Sequence, residues 1–416
     1  MSWLKEPLGN VCLKIGSGIT PKGGDSVYVG SGTALIRSQN VHNSQFVRNG
    51  LAFITDDTAK RMIGVTVAEN DILLNITGDS VARCCIVPSD ALPARVNQHV
   101  LIIRPDPSRL NPIFLAKYLV SPFMQATLLS WAGNGGTRKA LTKGMIEALD
   151  IPLPDLPTQT RIASILSAYD DLIENNRRRI GLLEQAARLL YREWFVHFRF
   201  PGHETTPFVD GLPEGWDVQL LSDLCVEGEG IQTGPFGSQL HQSDYTETGV
   251  PVVMPKDMKG NKVDCDGIAR IPETLADKLG RHRMIPGDTV YGRRGDIGRR
   301  AFIGKRQLGF FCGTGCLRIR PDTTKINARY LFETLGSPAT SGFIANQAKG
   351  STMPNLSAGA LKKVPVLCAS DALQSQFKEV VEPMFESIET LEDQNTRLTR
   401  ARDLLLPRLM DGRIPV

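Results

Sequence analysis

The residues that could perform chemistry do not form a recognisable catalytic set. Asn111-Pro-Ile-Phe114 approaches the Asn-Pro-Pro-aromatic loop that holds the target adenine in amino-methyltransferases, but the second proline is missing and Asn111 reads better as a helix N-cap. The glycines of Ile15-Gly-Ser-Gly18 are not followed by the strand, helix and acidic residue of a nucleotide-binding fold. Asp322-Thr-Thr-Lys325 lacks the further acid that a metal-dependent nuclease needs. The sequence therefore predicts no catalytic residues and no cofactor.

The cysteines predict neither a metal site nor a disulfide framework. There are 8 in 416 residues, and the closest groups, Cys84-Cys85 and Cys312 with Cys316, have no companion Cys or His at zinc-site spacing. Buried thiols are the expected alternative. Because the sequence shows neither a secretory leader nor an apolar run of membrane-spanning length, we expect a protein of the reducing cytoplasm.

Basic residues are concentrated in one part of a nearly neutral chain. The formal net charge is only +4, so whole-chain charge does not indicate nucleic acid. Between residues 281 and 306, however, eight cations stand beside only Asp288 and Asp296. The cations are Arg281, Arg283, Arg293, Arg294, Arg299, Arg300, Lys305 and Arg306. If they share one face they would bind phosphates; the alternative is a solvated strand-turn-strand rim.

Other candidate contact residues lie in turns and glycine-rich loops. Arg37, Gln39 and Asn40 follow an apolar segment and carry the side chains that pair with guanine or adenine edges, although hydrogen bonding within the loop would equally explain them. The loops 133–139 and 349–352 are suited to phosphate or are simply loop tips. The remaining candidates are Lys22, Arg83, Arg138, Lys139, Lys256 and Lys349.

An internal repeat underlies these positions. Trp3, Leu8 and Cys12 recur as Trp216, Leu221 and Cys225, an offset of about 213 residues that grows to about 216 or 217 further along. The later anchors are Asp71, Gly78, Asp79, Arg83, Arg104 and Asn111, which match Asp288, Gly295, Asp296, Arg300, Arg320 and Asn327. Arg37, Gln39 and Asn40 then match Met254, Lys256 and Asp257. One scaffold with two different surfaces is the expected result.

Each copy reads as a mixed α/β module. Short β-type segments are broken by glycine, and a helix is expected to start at Asn111 or Asn327. The predicted strands are Thr33–Arg37, Asp71–Ile76, Val100–Arg104, Val250–Met254, Thr289–Gly292 and Cys316–Arg320. Each module ends in a proline-containing segment, after which a long helix begins.

The two long helices carry heptad seams. The seam positions are Ile162, Leu166, Tyr169, Ile173, Asn176, Ile180, Leu183, Ala187, Leu190 and Trp194 in the first helix, and Phe377, Val381, Met384, Ile388, Leu391, Asn395, Leu398, Arg402, Leu405 and Leu409 in the second. Antiparallel pairing sets Asn176 opposite Asn395, whereas parallel pairing leaves each amide against an apolar residue at a cost of roughly 1 to 3 kcal/mol.

The charges agree with the antiparallel register, which brings Asp170 and Asp171 near Arg400 and Arg402. It also brings Glu382 and Glu386 near Arg188. Pro383 should kink or restart the second helix, because proline removes a helical hydrogen bond. Packing of each helix only on its own module remains the alternative.

Such a helix pair would act as a spacer. The first seam spans about 50 Å at 1.5 Å per residue, a separation between one and two turns of B-DNA, whose repeat is roughly 34 Å. A basic module at each end of this spacer would suit a split sequence on one duplex.

The chain resembles a known family, the specificity subunits of type I restriction-modification systems. The resemblance rests on Leu212-Pro-Glu-Gly-Trp216, on Pro157-Thr-Gln-Thr-Arg-Ile162, on Leu-Leu-Tyr-Arg-Glu-Trp-Phe at 189–195 and on the doubled layout. It implies two α/β target-recognition domains, at 1–156 and 198–369, separated by an antiparallel coiled coil of spacer helices at 157–197 and 370–412. The first module departs from the pattern, because it lacks the Leu-Pro-x-Gly lead-in of the second.

The resemblance also implies partners and a lack of catalysis. Such a subunit binds bipartite double-stranded DNA and carries two adenine methyltransferase subunits, which endonuclease/translocase subunits join. The alternatives are a DNA-modifying enzyme in its own right and a coiled-coil scaffold that does not bind DNA.

Overall fold

The structure is a computed structural model that describes residues 3–133, 139–348 and 355–416. It divides into two compact units. Unit 1 comprises Met1–Arg178 with Thr390–Val416, and unit 2 comprises Arg179–Glu389. There are two long helices, Leu156–Tyr191 and Asp371–Met410. One part of each helix belongs to unit 1 and the other part to unit 2.

Unit 1 is built around two sheets. The four-stranded sheet has the order Cys84–Ile86, Ile72–Asn75, Val100–Pro105 and Cys12–Ser17. The five-stranded sheet has the order Tyr28–Val29, Ala52–Ile54, Thr33–Ile36, Ala94–Val96 and Thr66–Val67. Smaller pairs are Lys5–Pro7 with Asp150–Pro152 and Val41–His42 with Gln45–Phe46. The shorter α-helices are Asp56–Arg61, Pro112–Leu119, Pro122–Gly133 and Lys143–Glu147.

The alternation of side chains along the central strands gives unit 1 two cores. Ile72 and Leu74 face a core shared with the helices, whereas Leu73 between them faces the five-stranded sheet. Leu101 and Ile102 divide in the same way. Because successive strand residues point to opposite faces, a strand that is apolar throughout joins both layers.

Unit 2 repeats the four-stranded sheet and has a smaller second sheet. Its four-stranded sheet has the order Arg300–Phe302, Thr289–Gly292, Cys316–Ile319 and Ile231–Thr233, and its three-stranded sheet has the order Arg270–Ile271, Val250–Val253 and Phe311–Cys312. The paired strands are Asp217–Leu220 with Pro365–Cys368, Met258–Lys259 with Lys262–Val263 and Phe208–Val209 with Leu212–Pro213. The α-helices are Glu273–Lys278, Ala328–Leu335, Pro338–Gln347 and Ala358–Lys362. The predicted mixed α/β module, present twice, is confirmed, and the predicted strands are correct to within a residue at each end.

An ion pair between neighbouring strands recurs in both units. In unit 1 the carboxylate of Asp71 has no exposed side-chain surface and accepts from Nε and Nη2 of Arg104 over 2.7 and 2.8 Å. In unit 2 Asp288 accepts from Arg320 at 2.9 Å from both nitrogens. A bidentate pair satisfies both groups, which makes the buried carboxylate tolerable.

The expected helix starts at Asn111 and Asn327 are confirmed. Asn111 Oδ1 accepts from the backbone N–H groups of the second and third helical residues, and Asn327 does the same. In both units the backbone N–H of this asparagine donates to a buried glutamine of the long helix, Gln159 or Gln374. Each module is therefore fixed to the start of its own long helix.

The parts of the long helices that belong to unit 1 pair antiparallel. Asn176 Nδ2 donates to Asn395 Oδ1 over 3.0 Å, and Arg402 Nη1 donates to Asp170 Oδ1 over 2.6 Å. Later residues of the first helix thus contact earlier residues of the second helix, which confirms the predicted antiparallel register. In unit 2, Tyr191 and Phe195 pack edge-to-face against Phe377, with ring centroids 6.1 and 5.2 Å away.

The expectation for Pro383 is wrong in one respect. The helix Asp371–Met410 runs without interruption through this position, so the proline does not restart it. Pro383 is exposed, and the carbonyl oxygen of Pro383 accepts from the Ser387 hydroxyl.

Within the described ranges no single helix has the length and apolarity needed to cross a membrane, although the bent pair Pro112–Leu119 and Pro122–Gly133 passes when its two helices are taken together.

Candidate nucleic-acid interface

In each unit three segments converge beside the four-stranded sheet. The first is a one-turn helix after a buried strand, and the second is the loop between two antiparallel strands. The third is the segment that directly follows residues 134–138 in unit 1 or residues 349–354 in unit 2. In unit 1 the one-turn helix Ser38–Asn40 is tied to the sheet by Asn75, whose Nδ2 donates to the Ser38 carbonyl over 2.9 Å. The N–H of Gly78 in the loop donates to the Lys139 carbonyl over 3.1 Å.

The same three segments meet in unit 2. Arg294 bridges to Asn355, and the N–H of Leu356 donates to the Arg293 carbonyl over 2.8 Å. Arg299 Nη1 lies 3.4 Å from the carbonyl oxygen of Pro255, at the start of the one-turn helix Pro255–Asp257. We call these two places the unit 1 interface and the unit 2 interface.

The unit 1 interface is a concave polar surface. It is an open depression with a volume of about 440 Å³, lined by Ser38, Gln39, Thr77, Gly78, Asp79, Ser80, Arg83 and His99. The Thr77 hydroxyl and His99 Nδ1 form a hydrogen bond of 2.7 Å. Hydroxyl, amide, carboxylate and guanidinium groups converge here, which is the mixture of donors and acceptors that reads base edges.

Of the predicted unit 1 residues, Gln39 and Arg83 line this surface. Gln39 is exposed and its Nε2 donates to the Gly50 carbonyl over 2.9 Å. Arg37 is half-buried, donates to the same carbonyl over 2.8 Å and lies 5.4 Å from the Tyr28 ring centroid. Arg37 therefore supports the turn as well as bordering it.

Asn40 corrects the sequence-based expectation. It has no exposed surface, its Oδ1 accepts from the backbone N–H of Arg37 and its Nδ2 donates to the Val47 carbonyl. In unit 2 the buried Asp257 accepts from the backbone N–H of Met254 in the same way. The last residue of this turn holds the backbone, so in this conformation Asn40 is unavailable to DNA. The preceding residues, Gln39 and Lys256, are exposed.

Where the unit 1 interface has hydroxyl, amide, carboxylate and guanidinium groups, the unit 2 interface has mainly arginines. Arg294 is exposed, while Arg299 donates to the Asp296 carboxylate over 2.7 Å. Arg293 is only 7% exposed, faces Asn355 Oδ1 at 3.3 Å and lies 5.9 Å from the Phe236 ring centroid. This interface is strongly positive, as a phosphate or guanine contact requires.

The basic run 281–306 does not form one free cationic face. Arg283 pairs with Glu273 and Asp277, and Arg281 Nε donates to Nε2 of His282 over 3.1 Å. The last cations of the run contact the second long helix: Lys305 lies 3.9 Å from Glu386, and Arg306 donates to the Glu389 carbonyl.

Arg300 is a structural arginine. Its Nε donates to the Phe332 carbonyl over 3.2 Å, its guanidinium lies 4.7 Å from the Phe332 ring centroid, and burial lowers its pKa below the ordinary value. The guanidinium lies against Gly336, in the space that the Cβ of any other residue at position 336 would occupy. Arg300 is therefore a correction to the predicted set of DNA contacts.

The remaining predicted contacts are placed only in part. Lys22, Lys139 and Lys256 are exposed, and Lys139 directly follows an undescribed segment. Arg138 and Lys349 lie outside the described residues. Sequence reasoning missed Ser38, Thr77, Asp79 and His99 as lining residues. The repeat carries a signal for them, since Thr77 is the counterpart of Arg294, a member of the basic run 281–306.

The buried thiols of Cys84, Cys312 and Cys316 are placed where they would bind metal poorly. Burial raises the pKa of Cys312 to about 12 and holds the pKa of Cys84 and Cys316 well above the ordinary thiol value. No group of three or more His, Cys, Asp or Glu side chains suited to a metal ion occurs among the described residues.

Comparisons with known proteins agree with this geometry. Residues 11–185 match the family model of the type I restriction modification DNA specificity domain. The type I restriction enzyme MjaIX specificity subunit of Methanocaldococcus jannaschii is 25% identical over 367 residues, which is 82% of either chain. The HindI specificity subunit of Haemophilus influenzae is 24% identical over 442 residues, covering 91% of this chain and 94% of that one.

A solved structure shares the fold. The S subunit of a type I restriction-modification system from M. genitalium superposes with a TM-score of 0.62 at 16% identity, covering 99% of this chain and 96% of that chain. The resemblance inferred from the sequence is confirmed: residues 11–185 match the type I DNA specificity domain, and over most of its length the chain is similar to type I restriction enzyme specificity subunits.

Proposed function

We propose that this chain is the DNA-recognition subunit of a type I restriction-modification complex and that each unit reads one half of a bipartite target. One observation carries the proposal. The two units share the order of their four-stranded sheet, the buried Asp–Arg pair and the turn, yet expose different side chains at equivalent interface positions. A shared frame with different polar surfaces is what two different half-sites require.

The long helices are proposed as the spacer between target-recognition domains at 1–156 and 198–369. The spacer segments are 157–197 and 370–412. The first long helix has 36 residues, about 54 Å at 1.5 Å per residue. The Asn176–Asn395 bond supports a fixed register, since a polar layer in an apolar seam selects one alignment.

The chain acts without a catalytic site or cofactor of its own. Its proposed partners are two adenine methyltransferase subunits, which would modify the DNA that the chain has bound, and endonuclease/translocase subunits, all in the cytoplasm. The purified chain alone should neither bind S-adenosylmethionine nor methylate or cut DNA.

The proposal is tested by reconstitution with the methyltransferase subunits. Fluorescence anisotropy with labelled duplexes should give tight binding to a bipartite sequence and weaker, salt-sensitive binding to random duplex. Methyl transfer by the chain alone would favour an enzyme. Equal affinity for every duplex, or none, would favour an interaction scaffold.

A further inference from the structure

The two interfaces differ in chemistry at Thr77 and Arg294, which occupy equivalent places. Each follows the central strand of its four-stranded sheet, Ile72–Asn75 or Thr289–Gly292. Each also forms an isolated backbone bridge to the segment that follows residues 134–138 or 349–354, Thr77 to Ala140 and Arg294 to Asn355. The backbone is thus held alike in both units, and the side chain alone changes.

Arg294 is an exposed cation whose guanidinium is not bound by any described residue. Within the described ranges its guanidinium has no hydrogen bond or ion pair, whereas Arg299 donates to Asp296 over 2.7 Å and Arg293 is buried against Asn355. The nearby carboxylate of Asp296 already has a cation, so it does not compete for Arg294. Among the described residues none occupies the nitrogens of the Arg294 guanidinium, which can therefore donate to a ligand.

In unit 1 the corresponding groups are arranged differently. The Thr77 hydroxyl bonds to His99, and Ala82 stands at the counterpart of Arg299. Among the described residues Asp79, the counterpart of Asp296, therefore faces the cavity without an ion-pair partner. A carboxylate accepts hydrogen bonds and repels acceptors such as guanine O6 and N7.

We infer that Arg294 reads a guanine in the half-site of unit 2, a conclusion that rests on the proposed function. A guanidinium donates two parallel hydrogen bonds, and in the major groove guanine presents two adjacent acceptors, O6 and N7, that match this fork. The equivalent place in unit 1, with Thr77 and Asp79, does not select guanine. Because unit 1 has Thr77 where unit 2 has Arg294, the two half-sites differ in their bases at the equivalent position.

The test uses the full chain assembled with its methyltransferase subunits. The methylated motif is determined by methylome sequencing, and exchange of one module assigns each half-site to a unit. Binding to duplexes substituted at each position of the unit 2 half-site is then measured for the unaltered chain, R294A and R294K. R199A is the matched control, since Arg199 is an exposed arginine of unit 2 paired with Glu193.

We expect a guanine in the unit 2 half-site and a loss of discrimination at that position of about 5-fold to 150-fold in R294A. R294K keeps the charge but loses the fork, so it should lose discrimination with little change in salt dependence. R199A should behave as the unaltered chain.

Two results would overturn the inference while leaving the proposed function intact. One is a bipartite motif with no guanine in the unit 2 half-site. The other is an R294A variant that binds all duplexes more weakly by the same factor, with a smaller salt slope, because Arg294 would then contact a phosphate. If module exchange alters neither half-site, the proposed function itself fails.

Discussion

Asn176 donates its amide N–H to the Asn395 side-chain oxygen over 3.0 Å, at a layer of the helix pair that the heptad pattern assigns to the seam. Asn176 is only 7% exposed, and its amide also lies 3.4 Å from Gln394 Oε1. Asn395 is half-buried. The bond fixes the register of the two helices, since a shift would leave a buried amide without a partner.

Replacing either asparagine by leucine should therefore destabilise the chain, and replacing both should restore part of the loss. The expected coupling is about 0.5 to 3 kcal/mol in the free energy of unfolding. N395L should cost more than N176L, because it leaves the more deeply buried amide with only the long contact to Gln394. Denaturant unfolding of the two single variants and the double variant measures the coupling. Strictly additive effects would show that the two amides do not stabilise each other.

A second prediction concerns Asp170, which lies between Lys117 and Arg402. Burial pushes its pKa upward, but the hydrogen bonds from the two cations outweigh this effect and leave the pKa below the ordinary value. Because the folded state binds the proton less tightly, the stabilisation is present above about pH 4 and lost as the pH falls further. The stability difference between the unaltered chain and D170N should shrink below about pH 4. A difference that stays constant down to pH 3 would contradict this account.

A third prediction concerns His282, which is 3% exposed and whose Nε2 accepts from Arg281. Burial, together with the charges of Arg281 and Arg318, lowers its pKa from 6.5 to about 4. At a pH between these two pKa values, His282 is protonated in the unfolded chain but not in the folded chain. Stability should fall as the pH drops from about 6.5 to 4, by at most ~3 kcal/mol.

The matched variant for this measurement is H282Q, which cannot titrate. The free energy of unfolding of both proteins is measured at pH 7, 5.5 and 4. The unaltered chain should lose more stability than H282Q over this interval. Parallel curves would mean that His282 does not hold its low pKa.

The fourth prediction separates two adjacent arginines. R300A should lower the free energy of unfolding by about 1–3 kcal/mol, because it removes a hydrogen bond to the Phe332 carbonyl and a ring contact. R299A, at an exposed position, should leave stability within about 0.5 kcal/mol and reduce the salt slope of DNA binding. Denaturant unfolding and salt titration of both variants measure this. A reduced salt slope in R300A with unchanged stability would contradict the structural role of Arg300.

Much of the framework could be predicted from the sequence, because its signals are local or repeated. The heptads predict the Asn176–Asn395 layer, and Asn111 is a good N-cap from its neighbours alone. The repeat aligned Asp71 and Arg104 with their counterparts, yet their pairing depends on which strands are adjacent, and that is decided by the whole sheet.

The interface could be predicted only in part. Gln39 and Asn40 are equally polar and adjacent, but the one-turn helix exposes the first and buries the second. Arg299 and Arg300 are likewise identical in type, and only their packing distinguishes a surface cation from a structural one. Side-chain direction in turns is a tertiary property, which composition and spacing do not encode.

The central claim, that two units read two half-sites independently, is tested most directly by exchanging one of them. Residues 1–150 are replaced by the first module of another specificity subunit, and the hybrid is expressed in a host with the methyltransferase subunits. Methylome sequencing then gives the modified motif. We predict that one half of the motif changes while the other half and the spacing between them remain. A motif in which both halves change, or neither does, would contradict independent reading by the two units.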